Sequence, residues 1–110
     1  MENSVTLKGA SGADYSYSAF PMDEGWNELP GNYAFAEYTD SGHWLVFYLG
    51  ETTNLRQTMT GHALWDEARA LGCSHVLAHA NDDGEQARKT ELRDLVEAFW
   101  PPLNRRQGQE

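Results

Sequence analysis

Histidines, a lone cysteine and short acidic runs are the residues of this chain best suited to metal binding, proton transfer or nucleophilic attack. His75 and His79 stand four apart in a segment that reads as a strand, where alternate residues share a face. With His43 they suggest a metal set, because imidazole is a common transition-metal ligand, but no residue at a recognisable spacing completes it. Asp82, Asp83 and Glu85 suit a cation, and equally suit the positive end of a helix dipole, which needs no ligand. His62 has a side chain for base chemistry or phosphate contact, but its setting also fits an ordinary histidine on a helix surface. Cys73 borders an apolar strand and reads as a small buried hydrophobe more than as a nucleophile. The turn Gly50-Glu51-Thr52-Thr53 lacks the lysine of a phosphate loop. Arg105-Arg106, an adjacent basic pair, lies near the chain end, where solvated side chains are the rule.

Those residues are carried by a regular alternation of elements. Val5 and Leu7 alternate with polar neighbours, Ser11-Gly12-Ala13-Asp14 supplies turn chemistry, and Tyr15 to Phe20 alternates again, which predicts a hairpin. Pro21 to Pro30 reads as a loop, with Trp26 plugging it onto the core. Asn32 to Tyr38 and His43 to Leu49 are rich in aromatic and β-branched residues and flank the short polar connection Thr39-Asp40-Ser41-Gly42, a second hairpin. Strict alternation puts Trp44, Val46 and Tyr48 on one face and Leu45, Phe47 and Leu49 on the other, which predicts a central strand covered on both sides and broken at Gly50.

Thr53 to Met59 reads as a short helical segment. Leu64, Trp65, Ala68 and Leu71 give a helix over Thr60 to Leu71, stopped by Gly72. Cys73 to Ala80 is a short strand. Asp82 or Asp83 caps a last helix running to about Trp100, with Leu92, Leu95, Val96 and Phe99 as its apolar stripe and Pro101-Pro102 ending it. The expected fold class is α+β: a compact sandwich, its central and mostly antiparallel sheet flanked by helices, with an additional N-terminal hairpin. The chain reads as a single domain over residues 1–110, divided into a hairpin and loop over 3–29, a core over 30–104 and a frayed tail over 105–110.

Composition limits the partners. Eight Lys+Arg against seventeen Asp+Glu give a formal charge of −9. Affinity for nucleic acid rests largely on neutralising phosphates, so an acidic body lowers the expectation of tight DNA binding and favours a protein partner. With Cys73 alone there is no internal disulfide and no cysteine-rich zinc site. The stretch from Met1 to Ala10 lacks the basic start and apolar run of a signal peptide, and no apolar stretch approaches membrane-spanning length. A cytoplasmic location without membrane contact is expected. Composition leaves the oligomeric state open.

Several landmarks, in order, carry a resemblance. Gly31-Asn32-Tyr33 and Tyr48-Leu49-Gly50 lie on the two paired strands, Asn54-Leu55 and then His62 follow, and Leu95-Val96 precedes Pro101-Pro102-Leu103-Asn104. The stretch from Cys73 to Asp83 stands between them. In this pattern the chain resembles the GIY-YIG nuclease superfamily, in particular its small stand-alone bacterial members, over Gly31 to Asn104. The resemblance implies a domain related to enzymes that cleave a phosphodiester at one divalent metal, Mg or Mn. In those enzymes tyrosines of the two tripeptides position or activate water, an arginine on the first helix stabilises the charge growing on the phosphate, and a glutamate on a later helix holds the metal.

At the positions this chain supplies, both charges are missing. The arginine falls ten positions beyond the tyrosine of the second tripeptide, which from Tyr48 is Thr58. The glutamate falls nine positions before the proline of the closing motif, which from Pro101 is Leu92. Arg56 and Glu91 are the possible substitutes, but one residue turns a helix by about 100° and two by about 200°, so Glu91 is expected to point off the apolar stripe into solvent and Arg56 away from Thr58. Tyr33 and Tyr48 are then either remnants of a catalytic pair or strand aromatics with hydrogen-bonded hydroxyls. The expectation is a degenerate, inactive binding or regulatory module without cofactor, its surface a vacated cleft among Tyr33, Tyr48, Thr58, His62 and Leu92. The alternative is a Mg- or Mn-dependent DNA endonuclease using Arg56 and Glu91.

Overall fold

A computed structural model describes residues 4–23 and 25–106. The alternating segments form the strands β1 (Ser4–Lys8) and β2 (Asp14–Pro21), paired antiparallel from Ser4↔Ser18 to Lys8↔Asp14. The turn between them passes through Gly12 at φ +92°, a conformation that costs glycine little. The second hairpin is β3 (Gly31–Tyr38) with β4 (Trp44–Thr52). β5 (His75–Ala80) lies between β2 and β3, giving one antiparallel sheet in the order β1-β2-β5-β3-β4. The N-terminal hairpin thus extends the core sheet through β2–β5 pairing, and the fold is α+β with helices flanking that sheet.

The second hairpin departs from strict alternation. Phe35 pairs with Tyr48 but Ala36 pairs with Val46, so Phe47 is an extra residue in β4. Such a bulge turns two successive side chains to one face. Phe47 and Tyr48 therefore both join Tyr33 and Phe35, while Trp44, Val46 and Leu49 fall on the other side. β4 does not stop at Gly50; it runs on to Thr52, with Gly50 opposite Tyr33. Nor is it central. It is an edge strand whose two faces are both apolar because helices cover each of them. Part of its outer edge is satisfied by Asn104, whose Oδ1 accepts from the Leu49 N–H at 2.8 Å and whose Nδ2 donates to the Leu49 carbonyl at 2.9 Å.

The helices are α1 (Leu55–Met59), α2 (Trp65–Leu71), α3 (Glu85–Phe99) and α4 (Pro102–Arg106). Asn54 caps α1 by accepting from the Gln57 N–H. Residues 60–64, expected in the second helix, precede it as turns, and Gly72 ends it in the left-handed conformation. Neither Asp82 nor Asp83 caps α3: the cap position is Gly84, and Asn81 Oδ1 instead accepts from the Asp83 N–H. The two prolines do not leave a frayed tail at once. Residues 105 and 106 complete α4, and the rest of the expected tail, 107–110, lies outside the described residues.

The sheet divides two cores. On one face Tyr33, Phe35, Phe47, Leu55, Met59, Leu64, Ala68 and Leu103 pack together, with Phe20 and Trp26 against them, so Trp26 does pin its loop. On the other, Leu95 of α3 packs with Val5, Leu7, Tyr17, Ala34, Leu49 and Leu77, flanked by Leu92 and Val96. Each fully buried Leu or Phe contributes roughly 1.5–3 kcal/mol. Phe99, expected in the stripe, is exposed: it is the last residue of α3, and the buried residues of that helix are Arg88, Glu91 and Leu95. Among the described residues no helix is long and apolar enough to cross a membrane.

Candidate functional site

The two glycine-bearing tripeptides place a cluster of rings on the face covered by α1, α2 and α4. A side-chain carbon on Gly50 would stand 2.5 Å from Cζ and Oη of Tyr33, so the Tyr33 ring lies directly across Gly50. One on Gly31 would stand 2.4 Å from the His79 carbonyl oxygen, where β3 and β5 meet. With the bulge turning Tyr48 to the same side, the ring centroids of Tyr33 and Tyr48 are 6.1 Å apart. His62, from the turns before α2, stands edge-on to both at 5.6 and 5.5 Å, and to Phe35 at 4.8 Å. Trp65 stacks on the other side of the group against Phe35 and donates its indole N–H to the Met59 carbonyl at 2.9 Å.

The hydrogen bonds of this cluster have a direction. The Leu64 N–H points at His62 Nδ1 at 3.1 Å, so that nitrogen is the acceptor and Nε2 carries the proton. Nε2 then donates to the Tyr33 hydroxyl at 2.9 Å, and the Tyr33 hydroxyl is bonded in turn to that of Tyr48. Burial pushes the Tyr33 hydroxyl far above its ordinary range, helped by Tyr48 beside it. Burial also raises Tyr48, in part offset by the bond from Tyr33, and lowers His62 below the usual histidine value. At neutral pH His62 and Tyr33 are therefore uncharged, and His62 has no lone pair left with which to take a proton. This part of the cluster can hold and orient hydroxyl groups; it is not arranged as a general base.

Of the residues expected at a vacated cleft, the structure brings together Tyr33, Tyr48 and His62. Thr58 faces back to the end of β4, its hydroxyl 2.7 Å from that of Thr52. Leu92 lies on the opposite side of the sheet with Leu95, Ala34 and Leu77. Arg56 is exposed and lines a groove of about 230 Å³ with Trp26, Met59 and Trp65, a groove that includes neither tyrosine.

Glu91 does not point into solvent. It is 5% exposed and faces the sheet beside Leu95, because the buried face of α3 begins a turn earlier than its apolar residues suggest. Its Oε2 accepts from the Tyr17 hydroxyl at 2.6 Å and from His79 Nε2 at 2.7 Å, and its Oε1 accepts from Asn81 Nδ2 at 3.3 Å. Asn81 also donates to Asn32 Oδ1, and Asn32 Nδ2 donates to the Arg88 carbonyl. Arg88, equally buried, donates to Glu51 at 3.0 Å and to the Asn81 carbonyl at 3.3 Å. A buried polar network thus ties α3 to β2, β3, β4 and β5. The i, i+3, i+7 spacing of Arg88, Glu91 and Leu95 was the available signal for it, hidden by the expectation that charged residues lie outside.

The remaining residues singled out in the sequence are accounted for locally. His79 belongs to that network, His75 bonds Ser74 and packs on Trp44, and His43 is exposed. Among the described residues no group of three or more His, Cys, Asp or Glu side chains is placed to hold a metal. Glu85 pairs with Lys89 at 2.9 Å, and Arg105 lies over the Trp100 ring. The Cys73 thiol is buried, raised by that burial, and donates to the His75 carbonyl. The fold and the cluster define an α+β domain with a neutral, hydrogen-bonded aromatic site on one sheet face and a charged, buried network on the other. No protein-family model matches the chain, and neither a curated protein nor a solved structure matches it at a significant level.

Proposed function

We propose that this chain is a degenerate GIY-YIG-like domain that binds a partner and does not cut nucleic acid. One observation carries this reading. Helix α3, with Leu92 and Glu91, packs on the sheet face opposite Tyr33 and His62, and Glu91 is already held by three donors. Without a carboxylate to hold a cation, or a guanidinium to offset growing phosphate charge, hydrolysis loses its main electrostatic support. Thr58 and Leu92 supply neither group. The ligand surface is the part-exposed edge of the ring cluster, Tyr48, His62 and Trp65, together with the neighbouring groove of Trp26 and Arg56. The formal charge of −9 favours a protein with a basic surface over a phosphate backbone.

The test is incubation of supercoiled plasmid with the full chain in Mg²⁺ or Mn²⁺. The plasmid is expected to stay supercoiled. Metal-dependent nicking that disappears in both Tyr33→Phe and Tyr48→Phe overturns the proposal, because those substitutions keep the rings and remove only the hydroxyls.

A further inference from the structure

The network on the α3 side has a feature that does not depend on the proposed function. His79 meets an acceptor at each ring nitrogen: the Ala80 carbonyl lies 2.9 Å from Nδ1 and Glu91 Oε2 lies 2.7 Å from Nε2. A carbonyl oxygen only accepts, and so does an ionised carboxylate, so both contacts are satisfied together when both nitrogens carry protons. We propose that this helix–sheet interface is a proton-dependent latch, closed while His79 is an imidazolium and loosened when that proton is lost.

The surroundings make the proton matter. The Glu91 side chain is 7% exposed, so its charge has little water to stabilise it. The groups facing the pair can be named element by element. From β2 come Tyr17, whose hydroxyl donates to Glu91 and whose ring stands edge-on to His79 at 4.7 Å, and Tyr15, near enough to feel the Glu91 charge but with its hydroxyl donating to Asp94 of α3. From β3 comes Asn32, and from the connection after β5 comes Asn81, both neutral. α3 itself adds Arg88, but its guanidinium is engaged by Glu51 of β4 and the Asn81 carbonyl. β1 turns only Val5 and Leu7 inward. His79 is therefore the cation bonded directly to Glu91, and its deprotonation leaves a lone pair against an oxygen and a buried carboxylate without its nearest counter-charge. The ring is 27% exposed, so it exchanges its proton with solvent while the protein stays folded.

The hydrogen bond to Glu91 raises His79 above the ordinary histidine value against the opposing effect of burial. For a group raised on folding, the stabilisation is complete below the ordinary value, about 6.5, and is lost as pH rises through the folded value. Between those two values the folding equilibrium constant falls by up to about tenfold per pH unit.

The experiment is a pH titration of the full chain, following the His79 ring nitrogens by NMR alongside the thermal midpoint and the amide-exchange protection of α3 corrected for intrinsic rate. Both ring nitrogens are expected to be protonated at pH 6, with a midpoint above the ordinary value, and protection in α3 is expected to fall across that titration. Glu91→Gln is expected to lower the His79 midpoint, and His79→Gln to remove the alkaline loss of thermal stability. A His79 ring with a single protonated nitrogen at pH 6 overturns the latch, since the ring would then be a neutral imidazole whatever the state of Glu91. Unchanged α3 protection across the titration, or wild type and His79→Gln losing stability in parallel, does so equally. If His79→Gln does not fold, the wild-type ring titration and exchange data decide the matter.

Discussion

Replacing Glu91 by alanine separates a buried helix face from an exposed one. In the structure the carboxylate accepts from Tyr17, His79 and Asn81. Truncation leaves the Tyr17 hydroxyl, on a residue 2% exposed, without an acceptor, at a cost of roughly 1–3 kcal/mol. It also takes the counter-charge from His79; breaking a buried pair costs about 3–5 kcal/mol, and the partial exposure of His79 puts this one at the low end. Asn81 loses less, because it keeps its bond to Asn32. The terms overlap, and the sum is about 3–4 kcal/mol, a large part of the roughly 5–15 kcal/mol that holds a domain folded. With a urea dependence of about 1–3 kcal/mol per molar, the unfolding midpoint should fall by about 2 M. Glu97→Ala, on the exposed side of the same helix, should change stability by no more than about 0.5 kcal/mol. Urea unfolding followed by circular dichroism measures both. Should Glu91→Ala behave like Glu97→Ala, the placement of α3 against the sheet is wrong.

Two further outcomes follow from the other face. Gly50→Ala puts a methyl group where the Tyr33 ring lies, so the ring must move and its bond to His62 is lost; a destabilisation of about 1–3 kcal/mol is expected in urea, with a change in the His62 ring signals by NMR. An unperturbed His62 in that variant would contradict the packing. His62 is lowered by burial, so its contribution to stability is present above about pH 6.5 and is lost as pH falls toward its folded value. Thermal unfolding between pH 6.5 and 5, before most carboxylates titrate, should show this acid limb in the wild type and a flatter profile in His62→Gln.

The alternating hairpins, the loop pinned by Trp26 and the closing helix were legible because period-two and period-3.6 patterns depend on residues near in sequence. So was the company of Tyr33, Tyr48 and His62, through the paired tripeptides and the segment after them, although His62 was expected on the second helix and stands in the turns before it. The position of β4 at the sheet edge was not legible. Apolar residues on both faces say that a strand is covered twice, and say nothing of whether a neighbour lies on each side of it. The bulge at Phe47 was equally hidden, since one extra residue leaves local composition unchanged while reversing the face of every residue beyond it.

By itself the sequence determined the class of fold and the order of its strands and first three helices, because each follows from residue type or local spacing. Tertiary structure alone decided which way Glu91 faces and what meets it there. A charged residue on a helix goes to water unless partners from distant strands satisfy it, and Tyr17, His79 and Asn81 become its neighbours only once β2, β5 and α3 are assembled. The same assembly puts Leu92 and Tyr33 on opposite faces of one sheet, a separation that no spacing along the chain encodes.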